Sequence, residues 1–247
     1  MSIKTILNYS PNFHPKKRNP NNIKFIVLHY TGMKTELKAI KKLTNIQSEV
    51  SSHYLIKNNG EIVTLVPDLY TAWHAGKSSW GSCKSLNKES IGIEITNPGH
   101  TFSYKRFSKK QVKSLLRLSL FLIKKYQINA KNILGHSDVS PDRKKDPGEK
   151  FPWKYLSQNK VGLWHEIAKV KLIKNRKIKT SKKDKEIFLM NLFKIGYSNK
   201  FTKNTGKEKC LNYIIKAFQR RYRQDLVDGR IDQECLLISQ NLIKKFY

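Results

Sequence analysis

Gly135-His136-Ser137-Asp138-Val139-Ser140-Pro141-Asp142-Arg143-Lys144-Lys145-Asp146-Pro147-Gly148 places an imidazole, lysines and three carboxylates on one short irregular stretch. It follows an apolar, strand-like run, Asn132-Ile133-Leu134. A second imidazole, His29, ends another such run, Phe25-Ile26-Val27-Leu28. Two histidines at strand ends plus one carboxylate make the three-ligand set of a catalytic zinc, whose fourth position stays open for water. A lone histidine reads as a packed or capping side chain; this flanked pair reads as ligands. On the residues alone, Asp138, Asp142 and Asp146 are rival oxygen ligands.

Residues 23–30 are nearly continuous apolar and β-rich, which predicts a buried strand. Residues 35–46 carry Leu37, Ile40 and Leu43 at helical spacing, an amphipathic helix. Residues 53–56 and 62–66 read as strands joined through Asn58-Asn59-Gly60, a hairpin turn signal. Residues 90–96 form another strand, 111–126 a helix with a wide apolar face, and 131–134 the last strand. Pro11, Pro15 and Pro20 make residues 1–20 an extended lead-in. Strands alternating with helices imply an α/β fold: a mixed central β-sheet flanked by helices.

The composition changes near residue 169. Lysine and arginine crowd residues 169–183, which reads as a basic linker between a domain at 1–168 and a unit at 184–247. Helical periodicity over 186–195, 209–222 and 232–246 makes that unit a small three-helix bundle. A calcium-loop reading of residues 225–234 fails, because the acidic residues miss the required positions. Asp228-Gly229 instead reads as a tight turn and Asp232 as a helix N-cap.

The chain has 247 residues, enough for one or two domains with a real core. No run approaches the roughly 20 apolar residues of a membrane helix, so no transmembrane segment is expected. Residues 1–20 lack an apolar core followed by a small-residue cleavage site, so no signal peptide is expected as written. Cys83, Cys210 and Cys235 are odd in number and widely spaced, which argues against a disulfide framework or a cysteine-rich metal site. The formal charge of +31 favours polyanions, cell-wall polymer and nucleic acid among them. It is carried mostly by lysine in a chain also rich in isoleucine and asparagine, so compositional drift accounts for part of it. Neither a basic recognition helix nor an aromatic-basic strand motif accompanies it, so no specific nucleic-acid partner is expected.

Five runs occur in order: Phe25 to Thr31, Ser51 to Ile56, Ala72-Trp73-His74-Ala75-Gly76, Ser90 to Ile95, and Gly135-His136 through Pro152-Trp153. Together they resemble the zinc-dependent N-acetylmuramoyl-L-alanine amidases, whose type-2 amidase fold is shared with peptidoglycan recognition proteins. The likeness is to the AmiD-type branch, which carries a C-terminal peptidoglycan-binding module. Ala217-Phe218-Gln219-Arg220-Arg221-Tyr222, followed by Val227 to Asp232, resembles that module.

The resemblance implies a zinc-activated water cleaving the amide between N-acetylmuramic acid, the 1,6-anhydro form included, and L-alanine of the stem peptide. It implies His29, His136 and Asp146 as ligands, since the family's carboxylate ligand immediately precedes Pro-Gly. It implies Glu94 as the catalytic acid/base. The residues agree: a carboxylate in the apolar strand Ile91-Gly92-Ile93-Glu94-Ile95 has its pKa raised into a useful range. It implies Lys144 as the catalytic lysine. If the loop is extended, Lys144 and Asp146 share a face; Arg143 and Lys145 are competing cations.

Tyr30, Trp73, His74 and Asn97 are candidate substrate-groove residues, as is Trp80. His53 and His74 are open between orienting a ligand, contacting substrate and packing in the core. His14, His100 and His165 read as structural or exposed. The rival reading is a non-catalytic peptidoglycan recognition protein, which requires loss of a ligand or the base. The domain layout points to the periplasm or cell envelope, and the missing signal peptide to the cytoplasm. The same layout predicts a helical unit separable from the chemistry.

Overall fold

The computed structural model of the protein describes residues 3–198 and 206–247. The lead-in contributes two short strands, β1 (Ile6–Leu7) and β2 (Phe13–His14). Then follow β3 (Phe25–Tyr30), α1 (Glu36–Thr44), the hairpin β4 (Tyr54–Ile56) and β5 (Ile62–Thr64), and β6 (Thr71–Ala72). The short α2 (Leu86–Glu89) runs directly into β7 (Ser90–Ile95). The long α3 (Lys109–Tyr126) leads to β8 (Ile133–Gly135), from which α4 (His136–Val139) starts without a break. After α5 (Trp153–Gln158) come α6 (Lys169–Arg176), α7 (Lys182–Ile195), α8 (Lys207–Tyr222) and α9 (Gln233–Phe246).

Among the described residues, six strands form one sheet in the order β1-β5-β4-β7-β3-β8, and β2 pairs with β6 separately. Only β4–β5 is antiparallel within the large sheet; β3 is parallel to both β7 and β8. The sheet is therefore mixed, as its sequence pattern predicts. Period-two alternation then sorts side chains to two faces. Ile26 and Leu28 share one face with Ile91, Ile93 and Ile95, beneath Leu115, Leu118 and Leu122 of α3. Burying one such side chain contributes about 1.5–3 kcal/mol, and hydrogen bonds from Gln111 to Thr96 O and from Ser114 to Gly60 O add to the hold on α3. Ser108 and Gln111 start α3 with a reciprocal capping box. The opposite face carries Phe25, Val27 and His29 on β3 and their register partners Ser90, Gly92 and Glu94 on β7.

That second face bears on the expected organisation. Within residues 169–183, read from sequence as a basic linker, Lys169–Arg176 is helical, with Leu172 buried. Lys169, Lys171 and Lys174 of α6 face solvent, while Leu172 and the ion pair of Arg176 with the buried Glu234 anchor the helix. The three C-terminal helices form, and Asp232 caps α9 through the Cys235 backbone N–H as expected. They do not stand apart from the sheet. Phe188, Leu192 and Phe218 share one hydrophobic cluster with Phe25, Val27, Leu134 and Val139. Met1, Ser2 and residues 199–205, which fall within the expected first domain and helical unit, lie outside the described residues. Among the described residues, no helix is long and apolar enough to cross a membrane.

Candidate metal centre and active site

In open α/β sheets, ligands gather outside the carboxyl ends of parallel strands, where loops converge. Three such ends meet here. His29 is the penultimate residue of β3, Glu94 the penultimate residue of β7, and His136 directly follows β8. The loop after α4 returns Asp146 to the same place, tied by a hydrogen bond from Ser137 N to Asp146 O of 2.8 Å. Gly148, at φ +84°, adopts the left-handed conformation that glycine accepts without strain, and its missing side chain leaves room for Tyr104.

His29 Nδ1, His136 Nδ1 and Asp146 Oδ2 form a nearly equilateral triangle. Its edges are 2.9, 3.0 and 3.0 Å. All three residues are buried, and among the described residues this is the one cluster of its kind able to hold a metal ion. Ligand atoms about 2.0–2.1 Å from a tetrahedral ion are about 3.3 Å apart, so the triangle is close to ligand spacing. Two imidazoles and a carboxylate suit zinc among the common divalent ions. The rival carboxylates are otherwise placed. Asp138 turns away, receiving Tyr197 Oη at 2.7 Å on one oxygen and Arg221 Nη1 at 2.7 Å on the other. Asp142 lies outside the cluster.

Burial, reinforced by the neighbouring His136, lowers the His29 pKa to about 4. Burial opposes ionisation of Asp146, yet His136 and His29 hold its carboxyl well below the usual range. The centre thus keeps a bare imidazole nitrogen on His29 and an anionic oxygen, the states a metal requires.

Glu94 lines the same cavity, of about 430 Å³, with Tyr30, Trp73, His74, His136, Lys144 and Asp146 on its wall. Its Oε2 is buried and has no hydrogen-bond partner among the described residues. Burial, aided by the negative charge of Asp146, pushes the Glu94 carboxyl up to about 8. Lys144 is half-buried at the cavity wall, and Lys145 is exposed at its rim. Arg143 is a staple: its Nη2 donates to Ala75 O at 2.9 Å and Lys77 O at 2.6 Å.

The remaining candidates divide. Tyr30, Trp73 and His74 line the cavity. His53 does not: it is fully buried, with Gly92 N donating to its Nδ1 at 2.9 Å and its Nε2 donating to Tyr70 O at 3.0 Å. Asn97 is also buried away from the cavity. Its amide donates to Lys105 O and accepts from Gly99 N, fixing the loop after β7. Trp80 packs on Tyr197 and is core. His165 is structural, its Nε2 donating to Tyr222 O at 3.2 Å. His100 belongs to the site region: it lines the cavity, meets Tyr30 Oη at 2.8 Å and Glu149 at 3.0 Å. Nothing in its local sequence sets it apart, because its partners lie 70 and 49 positions away.

A family model described as N-acetylmuramoyl-L-alanine amidase matches residues 19–149. N-acetylmuramoyl-L-alanine amidase AmiD of Escherichia coli is 34% identical over 236 residues, spanning 91% of this chain and 83% of that protein. The structure of E. coli AmiD with the substrate anhydro-N-acetylmuramic acid-L-Ala-D-gamma-Glu-L-Lys superposes with a TM-score of 0.78, covering 91% of this chain and 90% of that one. AmpDH3 of Pseudomonas aeruginosa, in complex with anhydromuramic pentapeptide, superposes with a TM-score of 0.77 at 29% identity, covering 94% of each chain. The 1,6-anhydro-N-acetylmuramyl-L-alanine amidase AmpD of Haemophilus influenzae is 35% identical over 170 residues, 61% of this chain and 90% of that protein.

Proposed function

The chain belongs to the N-acetylmuramoyl-L-alanine amidase family, and from that premise we propose that His29, His136 and Asp146 hold a zinc ion with Glu94 and Lys144 as the catalytic pair. The protein is a hydrolase of the amide between N-acetylmuramic acid and L-alanine. The observation that carries the site assignment is the three-donor triangle beside a half-buried carboxylate whose Oε2 is buried with no hydrogen-bond partner among the described residues. A non-catalytic recognition protein requires loss of a ligand or the base; every one of these residues is present.

Bound zinc supplies Lewis acidity and a water acidified toward a pKa of about 7. The amide is a poor electrophile with a poor leaving group, so the chain must manage a proton and a negative charge. Glu94 takes a proton from the attacking water as the new C–O bond forms at the lactyl carbonyl. Lys144, at the cavity wall, supplies a positive charge that stabilises the oxygen that becomes negative. When the C–N bond breaks, Glu94 returns its proton to the departing alanine nitrogen. A carboxyl whose pKa is raised by burial suits both directions of that transfer.

Both muropeptide forms are proposed substrates, because the relatives' complexes hold anhydro-muropeptides and the AmiD relative is described as an N-acetylmuramoyl-L-alanine amidase without that restriction. We place the protein in the cell envelope, where such polymer lies, with the C-terminal helices contributing to peptidoglycan contact. Mass spectrometry of products from intact sacculi and from purified anhydro-muropeptide tests this. Release of free stem peptide from either substrate, abolished by a chelator and restored by zinc, is the expected result. Turnover unaffected by thorough chelation overturns the zinc assignment.

A further inference from the structure

His29 Nδ1 is a ligand only while it carries no proton, so the ring hydrogen must sit on Nε2. Among the described residues, that nitrogen meets neither a carboxylate nor a carbonyl. Its neighbour, at 3.1 Å, is Nδ1 of His74. Two imidazole nitrogens in contact share one hydrogen, so one donates and the other accepts. The far side of the His74 ring decides which. There, His74 Nε2 lies 3.1 Å from the Ser90 hydroxyl. Ser90 Oγ in turn lies 2.5 Å from the carbonyl oxygen of Leu86, four residues earlier. A carbonyl only accepts, so Ser90 donates its single hydrogen to Leu86 and offers lone pairs to His74. His74 Nε2–H donates to Ser90, His74 Nδ1 is left as an acceptor, and His29 Nε2–H donates into it. His29 Nδ1 then faces His136 and Asp146 bare.

We propose that Leu86, Ser90 and His74 form a directional hydrogen-bond relay that fixes His29 in its metal-binding tautomer, making His74 a positioning residue. The inference rests on the reading of His29 as a metal ligand. Other features hold the His74 ring where the relay needs it. A Cβ on Gly92 would lie 2.4 Å from His74 Cγ and 2.7 Å from its Nδ1, so only glycine leaves space for the imidazole. The backbone N–H groups of His74 and Ala75 both donate to Asn87 Oδ1, at 3.2 and 2.7 Å. The next residue serves the second ligand: His136 Nε2–H donates to Ala75 O at 3.2 Å, leaving His136 Nδ1 bare as well. Two consecutive residues thus orient both imidazoles, one through a side chain and one through a carbonyl that Arg143 also holds.

The test is a zinc titration of the full chain against a chromogenic chelator, with His74→Leu, His74→Asn and Ser90→Ala. Leucine fills the space without an acceptor. Asparagine places an amide oxygen near the Nδ1 position. Loss of an outer hydrogen-bond partner weakens metal binding about 10–100-fold. That loss is expected for His74→Leu, with His74→Asn recovering most of it and Ser90→Ala falling between. ¹⁵N shifts of His29 in metal-free protein should report the Nε2–H tautomer in the wild type and a mixture in Ser90→Ala. Wild-type affinity in His74→Leu, or equal weakening by leucine and asparagine, overturns the relay. If His74→Leu fails to fold by thermal melting, Ser90→Ala decides alone, and unchanged affinity and tautomer overturn it. A wild-type chain that binds no zinc overturns the ligand reading itself, and the relay with it.

Discussion

His29 and Glu94 are register partners on the adjacent parallel strands β3 and β7. Their side chains therefore stand side by side on one face of the sheet, a candidate ligand next to a carboxylate whose Oε2 has no partner among the described residues. Nothing flexible lies between them, because both belong to the central strands. A sheet spacing of about 4.8 Å sets the distance between the metal centre and its base more firmly than a loop would.

Glu94→Gln is expected to retain zinc and to lose activity by about 10²-fold or more, the usual contribution of a general base. The amide keeps the shape and removes the proton acceptor. Asp146→Ala should instead lose the metal, since it removes one vertex of the donor triangle. Metal content by plasma mass spectrometry, alongside turnover of a soluble muropeptide, checks both. Zinc lost in Glu94→Gln but kept in Asp146→Ala would reverse the two roles.

The raised pKa of Glu94 has a consequence for the metal-free protein. Folded, the carboxyl titrates at about 8 against an ordinary value of 4.5. Between those values the native state binds the extra proton, so stability falls as pH rises. The contribution is fully present below about pH 4.5 and is lost by about pH 8, at a slope on the order of 1 kcal/mol per pH unit. Glu94→Gln removes that slope. Melting temperatures of the chelated proteins should therefore diverge as pH rises, the variant becoming relatively more stable. Parallel curves from pH 5 to 8 would mean that Glu94 is ionised throughout.

The sheet, α3 and the hairpin were legible because their apolar periods are strong and local. The proposed ligand set could be named from the sequence because Asp146 precedes Pro147-Gly148, a pattern that the family resemblance makes informative, and the fold brings His29, His136 and Asp146 together. His53 and Asn97 misled because a polar residue beside a motif has the same letter whether it faces a cavity or a backbone carbonyl. Ser90 carried no signal, since its role depends on a carbonyl four residues back and a ring from another loop. The merged core was hidden for a related reason. An amphipathic helix announces its apolar face and not the surface that will cover it.

Lys144→Ala should lower kcat about 10²-fold while changing KM little, because a charge aimed at a developing oxyanion acts mainly in the transition state. Lys145→Ala, at an exposed position, should be nearly silent. Arg143→Ala should differ from both: it frees the Ala75 carbonyl that receives His136, so zinc affinity should fall along with kcat. Steady-state kinetics and zinc titration of the three variants separate these outcomes. Equal losses in kcat at 144 and 145 would assign the effect to the net charge of the loop.

Arg221 comes from the C-terminal helices yet is 2% exposed inside the catalytic half. Its Nη1 donates to Asp138 at 2.7 Å, its Nη2 donates to Ile133 O at 2.8 Å, and its guanidinium lies 4.4 Å from the Trp153 ring centre. Asp138 also accepts from Gly135 N at 2.8 Å, so the pair braces the turn from which His136 projects. Removing one partner of a buried ion pair costs about 3–5 kcal/mol, because the other charge stays buried without compensation. Arg221→Met should thus lower the melting temperature by on the order of 10 °C. Adding Asp138→Asn should recover part of it, as coupled sites do. The same logic sets the outcome of truncation after residue 168. That cut uncovers Phe25, Val27, Leu134 and Val139, which pack against Phe188, Leu192 and Phe218. The truncated chain should be insoluble, or inactive even on a small soluble muropeptide. A soluble fragment with full kcat/KM on that substrate would show instead that the helices serve only to hold the enzyme on its polymer.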